Sequence, residues 1–389
     1  MTHINALPQG IEPNMISFSQ GHPDRTSFPV ADLEIAALTA FGSRAVTMFE
    51  YGPLQGETTL ITHIADNLNR TEDLNLKHED LMIVSGSTHG IDMICRLFVG
   101  AGGGILMESP TYRDAIHIFR DHKTELHPVP MDENGVIIEA MTEIVKRLSS
   151  EGKHPKLFYT IPNFHNPTGR TTTEERRREI LDLGRRFGFI ILEDDVYRDI
   201  SFEGAPPPSY FALAGGRDVL RIGSFSKNLA PGLRLGWLIG APELIGTCVN
   251  CGTTEMGGGA NPFVSHIVTR YLESGKWEAH ISKLRTIYRN RRDIALSALE
   301  RFMPTGVQWT VPSGGYFLWI TLPPNVTTSA LQVASAAKKV IFSVGSDFFI
   351  HPKDGDHNFR LAYSFAEPDE LEEGIRILAE TIEELTHSM

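Results

Sequence analysis

A lysine preceded by two nearby serines is the residue of this 389-residue sequence whose surroundings best suit covalent chemistry. The segment from Gly223 to Arg234 reads Gly-Ser-Phe-Ser-Lys-Asn-Leu-Ala-Pro-Gly-Leu-Arg, which places Lys227 after an apolar run. A partly desolvated lysine has a lowered pKa and can form an imine with an aldehyde cofactor. Ser224, Ser226 and Arg234 can together bind a phosphate, with the arginine in bidentate fashion. A surface loop with one lysine explains this segment alone equally well.

Three acids and a tyrosine follow another apolar run, in Leu192-Glu-Asp-Asp-Val-Tyr197. Open α/β sheets bind ligands at the carboxyl ends of their strands, where these acids would lie. Asp194 can pair with a protonated pyridine nitrogen and so make the ring an electron sink. Tyr197 can donate a hydrogen bond to a phenolic oxygen of the same ring. The ordinary alternative for such acids is capping of a helix N-terminus.

Two loops supply further polar groups. In Pro162–Gly169, Asn166 precedes a proline and is therefore kept extended, which suits an amide aimed at a ring oxygen. Asn-Pro and Thr-Gly are also common in simple turns. In Ser85–Gly90, Ser87 and Thr88 would open a helix whose free N–H groups can bind phosphate, although small-residue turns of this kind are frequent.

Alternating strands and helices would position these residues. Short apolar runs predict strands, and periodic amphipathic stretches between them predict helices. The strands are Leu81–Val84, Gly104–Met107, Leu157–Thr160, Phe189–Leu192, Val219–Gly223 and Leu235–Ile239. The helices are Thr88–Phe98, Arg113–Asp121 and Thr173–Phe187. This order favours an α/β fold with a mostly parallel sheet wrapped by helices.

The two ends of the chain have a different pattern. An extended piece lies at Met15–Gln20, and a helical pattern begins at Pro29. A long charged helix at Glu278–Phe302 precedes short strands and a last helix, Pro368–Leu385. We therefore predict a large domain at residues 45–275, and a smaller α+β domain built from residues 1–44 and 276–389.

Composition narrows the class of protein. The net charge of −12 disfavours nucleic acid and other polyanions as partners. We find no apolar run of membrane-spanning length and no signal peptide pattern, so we expect a cytoplasmic protein without a membrane partner. Cys95 lies in an apolar run, whereas Cys248 and Cys251 form a single C-x-x-C. One such pair without nearby histidines is weak support for a metal site, and we predict none.

Taken together, these motifs resemble the fold-type I, class I/II aminotransferases, and are most similar to the 2-aminoadipate and aromatic aminotransferase branch. The likeness runs from about residue 15 to residue 385. It rests on Tyr51-Gly52…Gly56, Gly86-Ser87, Glu108-Ser-Pro-Thr-Tyr112, Asn166-Pro-Thr-Gly169, Asp194-x-x-Tyr197, Ser224-Phe-Ser-Lys227 and Arg234.

The resemblance implies a large domain with a seven-stranded type of sheet, and pyridoxal 5'-phosphate (PLP) bound to Lys227 as a Schiff base. The amino group of an L-amino acid would pass to a 2-oxo acid, with 2-oxoglutarate the expected acceptor. Tyr112 would stack on the cofactor ring, and Arg360 would bind the substrate carboxylate. Tyr51 would reach the cofactor phosphate of a neighbouring subunit, which implies a homodimer with shared active sites.

Several positions depart from the family pattern. His22, in Gln20-Gly21-His22-Pro23, stands where this branch usually has an apolar residue. We expect Gly21 and His22 to cover the substrate, with His22 either a substrate contact or an acid/base group, or else a structural histidine. His89, Gly104 and Val344 also differ from the usual residues. Arg25 can pair with a distal substrate carboxylate or remain solvated.

Two other functions use the same fold. Some relatives are oxidases or hydroxylases that react with dioxygen, and others are cyclases or lyases; His22 is the one sequence feature that favours them. PLP-sensing transcription regulators carry a winged helix-turn-helix before this domain. Here the pattern begins near residue 15, so we do not expect that arrangement. The sequence leaves the amino acid substrate open.

Overall fold

The computed structural model describes residues 15–44 and 46–387. Its strands are β1 (Ile16–Ser17), β2 (Leu81–Val84), β3 (Gly104–Ser109), β4 (Glu125–Asp132), β5 (Gly135–Val136), β6 (Pro155–Thr160), β7 (Ile190–Asp194), β8 (Val219–Ser224), β9 (Gly236–Ile239), β10 (Gln308–Trp309), β11 (Phe317–Thr321), β12 (Val340–Ile341), β13 (Ser343–Val344) and β14 (Asn358–Ala362). Its α-helices are α1 (Val30–Arg44), α2 (Thr58–Glu72), α3 (Ser87–Ile94), α4 (Arg113–Asp121), α5 (Ile138–Ser150), α6 (Glu174–Phe187), α7 (Tyr210–Ala214), α8 (Pro242–Val249), α9 (Gly252–Glu255), α10 (Pro262–Glu273), α11 (Trp277–Phe302), α12 (Thr328–Ala337) and α13 (Pro368–His387).

The large sheet has the strand order β2-β9-β8-β7-β6-β3-β4-β5. Strands β4, β3, β6, β7 and β8 are parallel to one another, whereas β9 runs antiparallel to both β8 and β2. The predicted mostly parallel sheet of the seven-stranded type is therefore confirmed. The two-residue strand β5 adds a short antiparallel hairpin at one edge.

Strand β4 is an element that the sequence patterns did not predict. It contains Pro128 and Pro130, which would interrupt a strand paired on both sides because proline has no amide hydrogen. In the structure, β3 pairs with β4 along six residues, whereas β5 meets only Met131 and Asp132. Both prolines therefore lie where the second neighbour is missing, and the ladder tolerates them.

The two central strands next to the candidate site send alternate side chains to different cores. On β7 and β8, Ile191 and Val219 enter one apolar cluster, with Leu60 and Tyr271. Leu192 and Ile222 enter another cluster, with Ile91. Because successive strand residues point to opposite faces, Asp194 and Asp195 are also directed to different sides of the sheet.

A smaller α+β region combines both ends of the chain. Strands β10, β11, β14 and β13 form an antiparallel sheet, and helices α11 and α13 pack together beside it. Strand β1 pairs in parallel with β12, which brings the N-terminal segment to the C-terminal part. Helix α1 packs along α10, so the exact boundary at residue 44 stays a prediction.

No helix in the described ranges combines the length and the apolar character that crossing a membrane requires.

Candidate active site

Lys227 lies three residues beyond the end of β8, and its ammonium group points into the space between the two parts of the chain. Its Nζ donates a hydrogen bond to the carbonyl of Gly21, at 2.9 Å. Burial, together with the positive charges of Arg360 and Arg234, lowers the pKa of Lys227 to about 8, although Asp194 opposes this shift. The lysine therefore supplies much more free amine near neutrality than an exposed lysine does.

Asp194 ends strand β7 and is buried. Its Oδ2 accepts a hydrogen bond from the Tyr159 hydroxyl at 2.8 Å, whereas its Oδ1 is buried without a partner. Burial raises the pKa of Asp194 to about 6, against the opposing effect of the Tyr159 hydrogen bond. A buried carboxylate oxygen without a donor is costly, so this atom is suited to a cationic N–H from a ligand.

A glycine turn and an arginine form one corner of the site. Gly86 has φ +81°, and a Cβ at this position would lie 2.5 Å from Nη2 of Arg234. The guanidinium of Arg234 therefore lies directly against the turn. Its Nη1 donates to Ser226 Oγ at 3.4 Å, and the Ser226 amide donates to Ser224 Oγ at 3.1 Å. The three predicted phosphate ligands from this loop are thus neighbours.

Ser87 and Thr88 open helix α3 at the same corner. A Cβ on Gly236 would lie 3.2 Å from the Ser87 amide nitrogen, which shows how closely β9 approaches the start of this helix. The first N–H groups of a helix have no partner within it and attract anions. The turn, the helix start and Arg234 together form a cradle suited to phosphate.

Arg360 occupies β14 between β11 and β13, with 7% of its surface exposed. Its Nη1 donates to Asn166 Oδ1 at 2.8 Å and its Nη2 to the carbonyl of Ser19 at 2.6 Å, whereas Nε is buried without a partner. The guanidinium also lies against the rings of Phe317 and Phe348, at 4.3 and 4.9 Å from their centroids. Burial lowers its pKa to about 10, so the group stays charged at neutral pH.

Asn166 reaches Arg360 from a loop that buried polar contacts support. The preceding residue, His165, lies 3.1 Å from Glu108, and its Nδ1 is 2.8 Å from the Thr168 hydroxyl. Glu108 also accepts hydrogen bonds from Thr160 and the Ile161 amide. These contacts hold the loop that carries Asn166.

Two predicted aromatic residues border the same space. Tyr197 is buried, and the Nζ of Lys227 lies 5.7 Å from its ring centroid. Tyr112 precedes α4, and its hydroxyl donates to Asp114 at 2.8 Å. Burial raises the pKa of both phenols, so both remain protonated donors at neutral pH.

The segment with Gly21 and His22 closes the site on the side of Lys227. A Cβ on Gly21 would lie 2.5 Å from Cζ of Phe317, so only glycine fits there without a shift. The carbonyl of His22 accepts from Ser364 at 2.7 Å. Burial lowers the pKa of the His22 imidazole, and the charges of Lys227 and other nearby cations lower it further. His22 is therefore a neutral group beside the lysine.

Tyr51 lies apart from these residues in the single chain. Its side chain is 92% exposed, and its ring lies beside Gly257. Other large apolar side chains exposed near it in the sequence are Phe41, Val46, Phe49 and Leu54. The predicted contact joins Tyr51 to the cofactor phosphate of a neighbouring subunit, and it stays a prediction.

Sequence patterns missed several contacts of the site. Tyr159, the donor to Asp194, reads as one more apolar residue of β6, although it pairs with Leu192, which lies on the same face of β7 two residues before Asp194. Tyr316 donates to the backbone carbonyl of Lys227 and follows two glycines without a motif of its own. Ser19 and Gly21 contribute backbone carbonyls, and no pattern of side chains in the sequence can predict such contacts.

His89 has a local partner, and the three cysteines form no disulfide with one another. His89 Nδ1 accepts from the Ser85 amide at 3.2 Å, inside the turn that precedes α3. Cys95, Cys248 and Cys251 are buried and unpaired with one another. In residues 15–44 and 46–387, no three His, Cys, Asp or Glu side chains form a cluster that could hold a metal.

Comparison with known proteins gives a consistent result. Residues 13–378 match the family model described as aminotransferase class I and II. The aromatic-amino-acid aminotransferase 1 of Thermococcus litoralis is 35% identical over 95% of this chain and 88% of its own length. The 2-aminoadipate transaminase of Thermus thermophilus is 30% identical, over 96% of this chain and 91% of its length.

A solved structure is similar as well. The kynurenine aminotransferase of Pyrococcus horikoshii, in complex with PMP and with kynurenine as substrate, superposes with a TM-score of 0.90 at 34% identity. The match covers 95% of this chain and 91% of that protein.

Proposed function

This chain belongs to the class I and II aminotransferases, and we propose that Lys227 binds its cofactor and that 2-oxoglutarate accepts the amino group. The cofactor of the family is PLP, and the reaction is transfer of an amino group from an L-amino acid to a 2-oxo acid. When bound, PLP supplies an aldehyde for the lysine and a ring that withdraws electrons from the substrate.

The observation that best supports the site is the set of unsatisfied groups around Lys227. Asp194 Oδ1 and Arg360 Nε are both buried without partners, and the pKa of Lys227 is lowered to about 8. We assign Asp194 to the ring nitrogen of PLP, and Tyr197 and Asn166 to its phenolic oxygen. The phosphate would be held by Ser87, Thr88, Ser224, Ser226 and Arg234, and the ring face would pack on Tyr112.

Lys227 would have a second role once the substrate amine replaces it. Its free amine lies in a site that already lowers its pKa, so it can act as a general base and accept the proton from the substrate Cα. The resulting ammonium group can then act as a general acid and donate that proton to another atom. The carbonyl of Gly21, 2.9 Å away, gives the protonated form a hydrogen-bond acceptor. The neutral His22 nearby adds no positive charge that would oppose this protonation.

Arg360 would bind the α-carboxylate of the substrate. Its Nε has no partner, and Asn166 and the Ser19 carbonyl hold its two terminal nitrogens. A guanidinium fixed in this way can form charge-assisted hydrogen bonds to a carboxylate without first losing side-chain entropy.

For the donor, we propose an L-amino acid with a long or aromatic side chain. The support is the naming of relatives as aromatic and 2-aminoadipate aminotransferases. Gly21 and His22 would contact that side chain. Arg25 is exposed and lies over the ring of Phe365, at 5.1 Å, so pairing with a distal carboxylate would require it to leave that ring.

We further propose a cytoplasmic homodimer with shared active sites. The support is Tyr51, which is 92% exposed although it belongs to a motif of the cofactor site. Phe41, Phe49 and Phe263 form a tilted and edge-on aromatic cluster in which Phe41 and Phe49 are exposed, as an interface would require. Unpaired Cys95, Cys248 and Cys251 fit a reducing compartment.

The acceptor is tested in two half-reactions under air. A panel of amino acids is first added to the holoenzyme without an oxo acid, and the absorbance of the PLP–lysine Schiff base and dissolved oxygen are followed. We expect the band to be lost once, without oxygen consumption, and to return when 2-oxoglutarate is added. Return with pyruvate or oxaloacetate but not with 2-oxoglutarate would overturn the acceptor. Repeated turnover with oxygen consumption would indicate oxidase chemistry instead.

The shared site is tested with Tyr51→Phe. Removing the hydroxyl should weaken PLP binding, while size-exclusion chromatography with light scattering still reports a dimer. A strictly monomeric wild-type enzyme with full activity would rule out this role of Tyr51. Tyr271→Phe, which removes another hydroxyl from the chain, is the matched control and should leave PLP binding unchanged.

A further inference from the structure

A cavity of about 310 Å³ lies behind the proposed cofactor site. Its walls come from α2, from the α10–α11 junction and from the ends of β7, β8 and β9. Its lining includes two carboxylates and three aromatic rings, from Asp66, Asp199, Phe225, Trp237 and Trp277. No residue to which we assigned a role in PLP or substrate binding lines this cavity.

The cavity lies on the opposite face of the strands that carry the cofactor residues. Asp195 lines it, whereas its neighbour Asp194 belongs to the cofactor site. In the same way, Gly223 and Phe225 line it on either side of Ser224. This follows from the alternation of side chains along a strand. The two sites are therefore separated by the thickness of one sheet.

Three aromatic rings form one wall. Phe225 packs edge-on against Trp237 and Trp277, with centroid distances of 4.9 and 5.8 Å. Both tryptophans are only partly buried. Exposed indole surface in a cavity attracts apolar groups, and the face of an indole also attracts cations.

The charges of the lining are unevenly paired. Each arginine in the wall has an acidic partner: Arg70 pairs with Glu278, and Arg198 and Arg221 both pair with Glu72, at 3.1 and 2.8 Å. By contrast, no ion pair joins Asp66 or Asp199 to a cation among residues 15–44 and 46–387. Two carboxylates of the lining, Asp66 and Asp199, therefore have no cationic partner in the described part of the chain, whereas every arginine of the lining has an acidic one.

Asp199 is the better placed of these two acids. Its Oδ2 accepts from Asn228 Nδ2 at 2.7 Å, while Arg285 binds its backbone carbonyl and not its carboxylate. Burial raises the pKa of Asp199, against the effects of the Asn228 hydrogen bond and the Arg285 charge. A cation bound in the cavity would relieve the cost of this desolvated charge.

We propose that this cavity is a second binding site, for a small organic cation with an apolar or aromatic body. The ammonium or guanidinium group pairs with Asp199, and the body packs on Trp237 and Trp277. A metal ion does not fit this lining, because aromatic side chains make up one wall.

The site is connected to the catalytic lysine by a short path. Asp199 is hydrogen-bonded to Asn228, the residue directly after Lys227. A cation that draws the Asp199 carboxylate towards itself therefore acts on the loop that holds the lysine. Occupancy is expected to alter the absorbance of the bound cofactor, since that absorbance depends on the protonation and position of Lys227.

The test uses benzyltrimethylammonium chloride, a cation that cannot form an imine with PLP. The holoenzyme is titrated with it by isothermal titration calorimetry, and tryptophan fluorescence is recorded in parallel. We expect saturable binding of one cation per chain, with quenching of the fluorescence. Benzyl alcohol, which has a similar ring without the charge, should bind at least about tenfold more weakly.

Two variants locate the binding. Asp199→Asn keeps the shape of the side chain and the contact with Asn228, and should weaken binding about tenfold or more. Asp182→Asn is the matched control, because the Asp182 side chain is 76% exposed on α6, and it should bind like the wild type. Should Asp199→Asn fail to fold, Trp277→Leu tests the aromatic wall with the same readout.

Several results would overturn the proposal. They are the absence of saturable binding, equal binding of benzyl alcohol, and unchanged affinity in both Asp199→Asn and Trp277→Leu. Displacement of the cation by the amino acid substrate, without any effect of Asp199→Asn, would place it at the catalytic site instead. None of these results depends on which acceptor the enzyme uses.

Discussion

Two clusters of charged residues lie on opposite faces of the same central strands, and they differ in how their charges are paired. The cluster proposed to bind cofactor and substrate, called the cofactor cluster here, consists of Asp194, Lys227 and Arg360. In it, Asp194 Oδ1 and Arg360 Nε have no hydrogen-bond partner. The paired cluster consists of Glu72, Asp195, Arg198 and Arg221. In it, Arg221 lies 2.8 Å from Glu72 and 2.9 Å from Asp195.

The pKa shifts follow this difference. In the cofactor cluster, burial dominates, so the pKa of Lys227 falls to about 8 and that of Asp194 rises to about 6. In the paired cluster, burial would lower the pKa of Arg221, but the charges of Glu72 and Asp195 outweigh it and raise this pKa. Buried charges that are paired within the chain cannot lose a partner without a large cost in stability, whereas charges left without partners are available to a ligand.

The largest expected effect is that of Lys227→Ala, which removes the reactive amine. We expect the rate of amino transfer to fall by at least about 10⁴-fold, because no other side chain can replace the nucleophile and proton carrier. The Schiff base absorbance should also disappear. Lys283→Ala, at an exposed lysine of α11, should retain both. A Lys227→Ala enzyme with more than about a tenth of the activity would contradict the assignment.

Glu72→Gln tests the paired cluster and should act on stability. It removes one of the two carboxylates that Arg221 and Arg198 share and leaves only Asp195, so we expect a loss of about 3 kcal/mol of unfolding free energy, the lower end for breaking a buried pair. Chemical denaturation measures this loss, and the Schiff base band should still form in the folded protein. Glu278→Gln breaks the exposed pair with Arg70 and should cost less than about 1 kcal/mol. Equal losses of unfolding free energy in Glu72→Gln and Glu278→Gln would contradict a special contribution of the paired cluster to stability.

Arg360→Lys tests the proposed binding of the substrate carboxylate by the cofactor cluster. Lysine keeps the charge but loses the planar fork, so kcat/KM should fall about 100-fold, which corresponds to about 2.7 kcal/mol. PLP affinity should remain unchanged, since Arg360 is assigned to the substrate alone. Arg301→Lys, in an exposed ion pair, is the control. A loss of PLP affinity as large as the loss of kcat/KM would show that Arg360 holds the cofactor.

The smallest expected effect concerns pH. Because the pKa of Lys227 is lowered to about 8, the free amine predominates above that pH and declines below it. The rate of Schiff base formation, measured by stopped-flow mixing of apoprotein with PLP, should fall about tenfold for each pH unit below 8 and level off above it. A profile that keeps rising towards pH 10 would indicate an ordinary, solvated lysine.

Much of the local structure follows from the residues alone. The predicted strand Leu81–Val84 and helix Arg113–Asp121 have the bounds found in the structure, because their apolar residues follow the period of one element. The π-helical turn at Cys95–Val99 extends α3 as far as the predicted helix reached. Strand β4 was not predicted, because a strand tolerates prolines only where it pairs with a neighbouring strand on one side, and the sequence does not show where that occurs.

The sequence by itself determined which chemical groups stand at the ends of which strands. Lys227 after β8 and Asp194 at the end of β7 follow from motif and pattern, since both are local features. The tertiary structure alone decided which charges have partners. Pairing depends on distance and burial between residues far apart in the chain, such as Glu72 with Arg221 or Asn166 with Arg360. No local pattern encodes those distances, because Coulomb and desolvation energies depend on the folded surroundings.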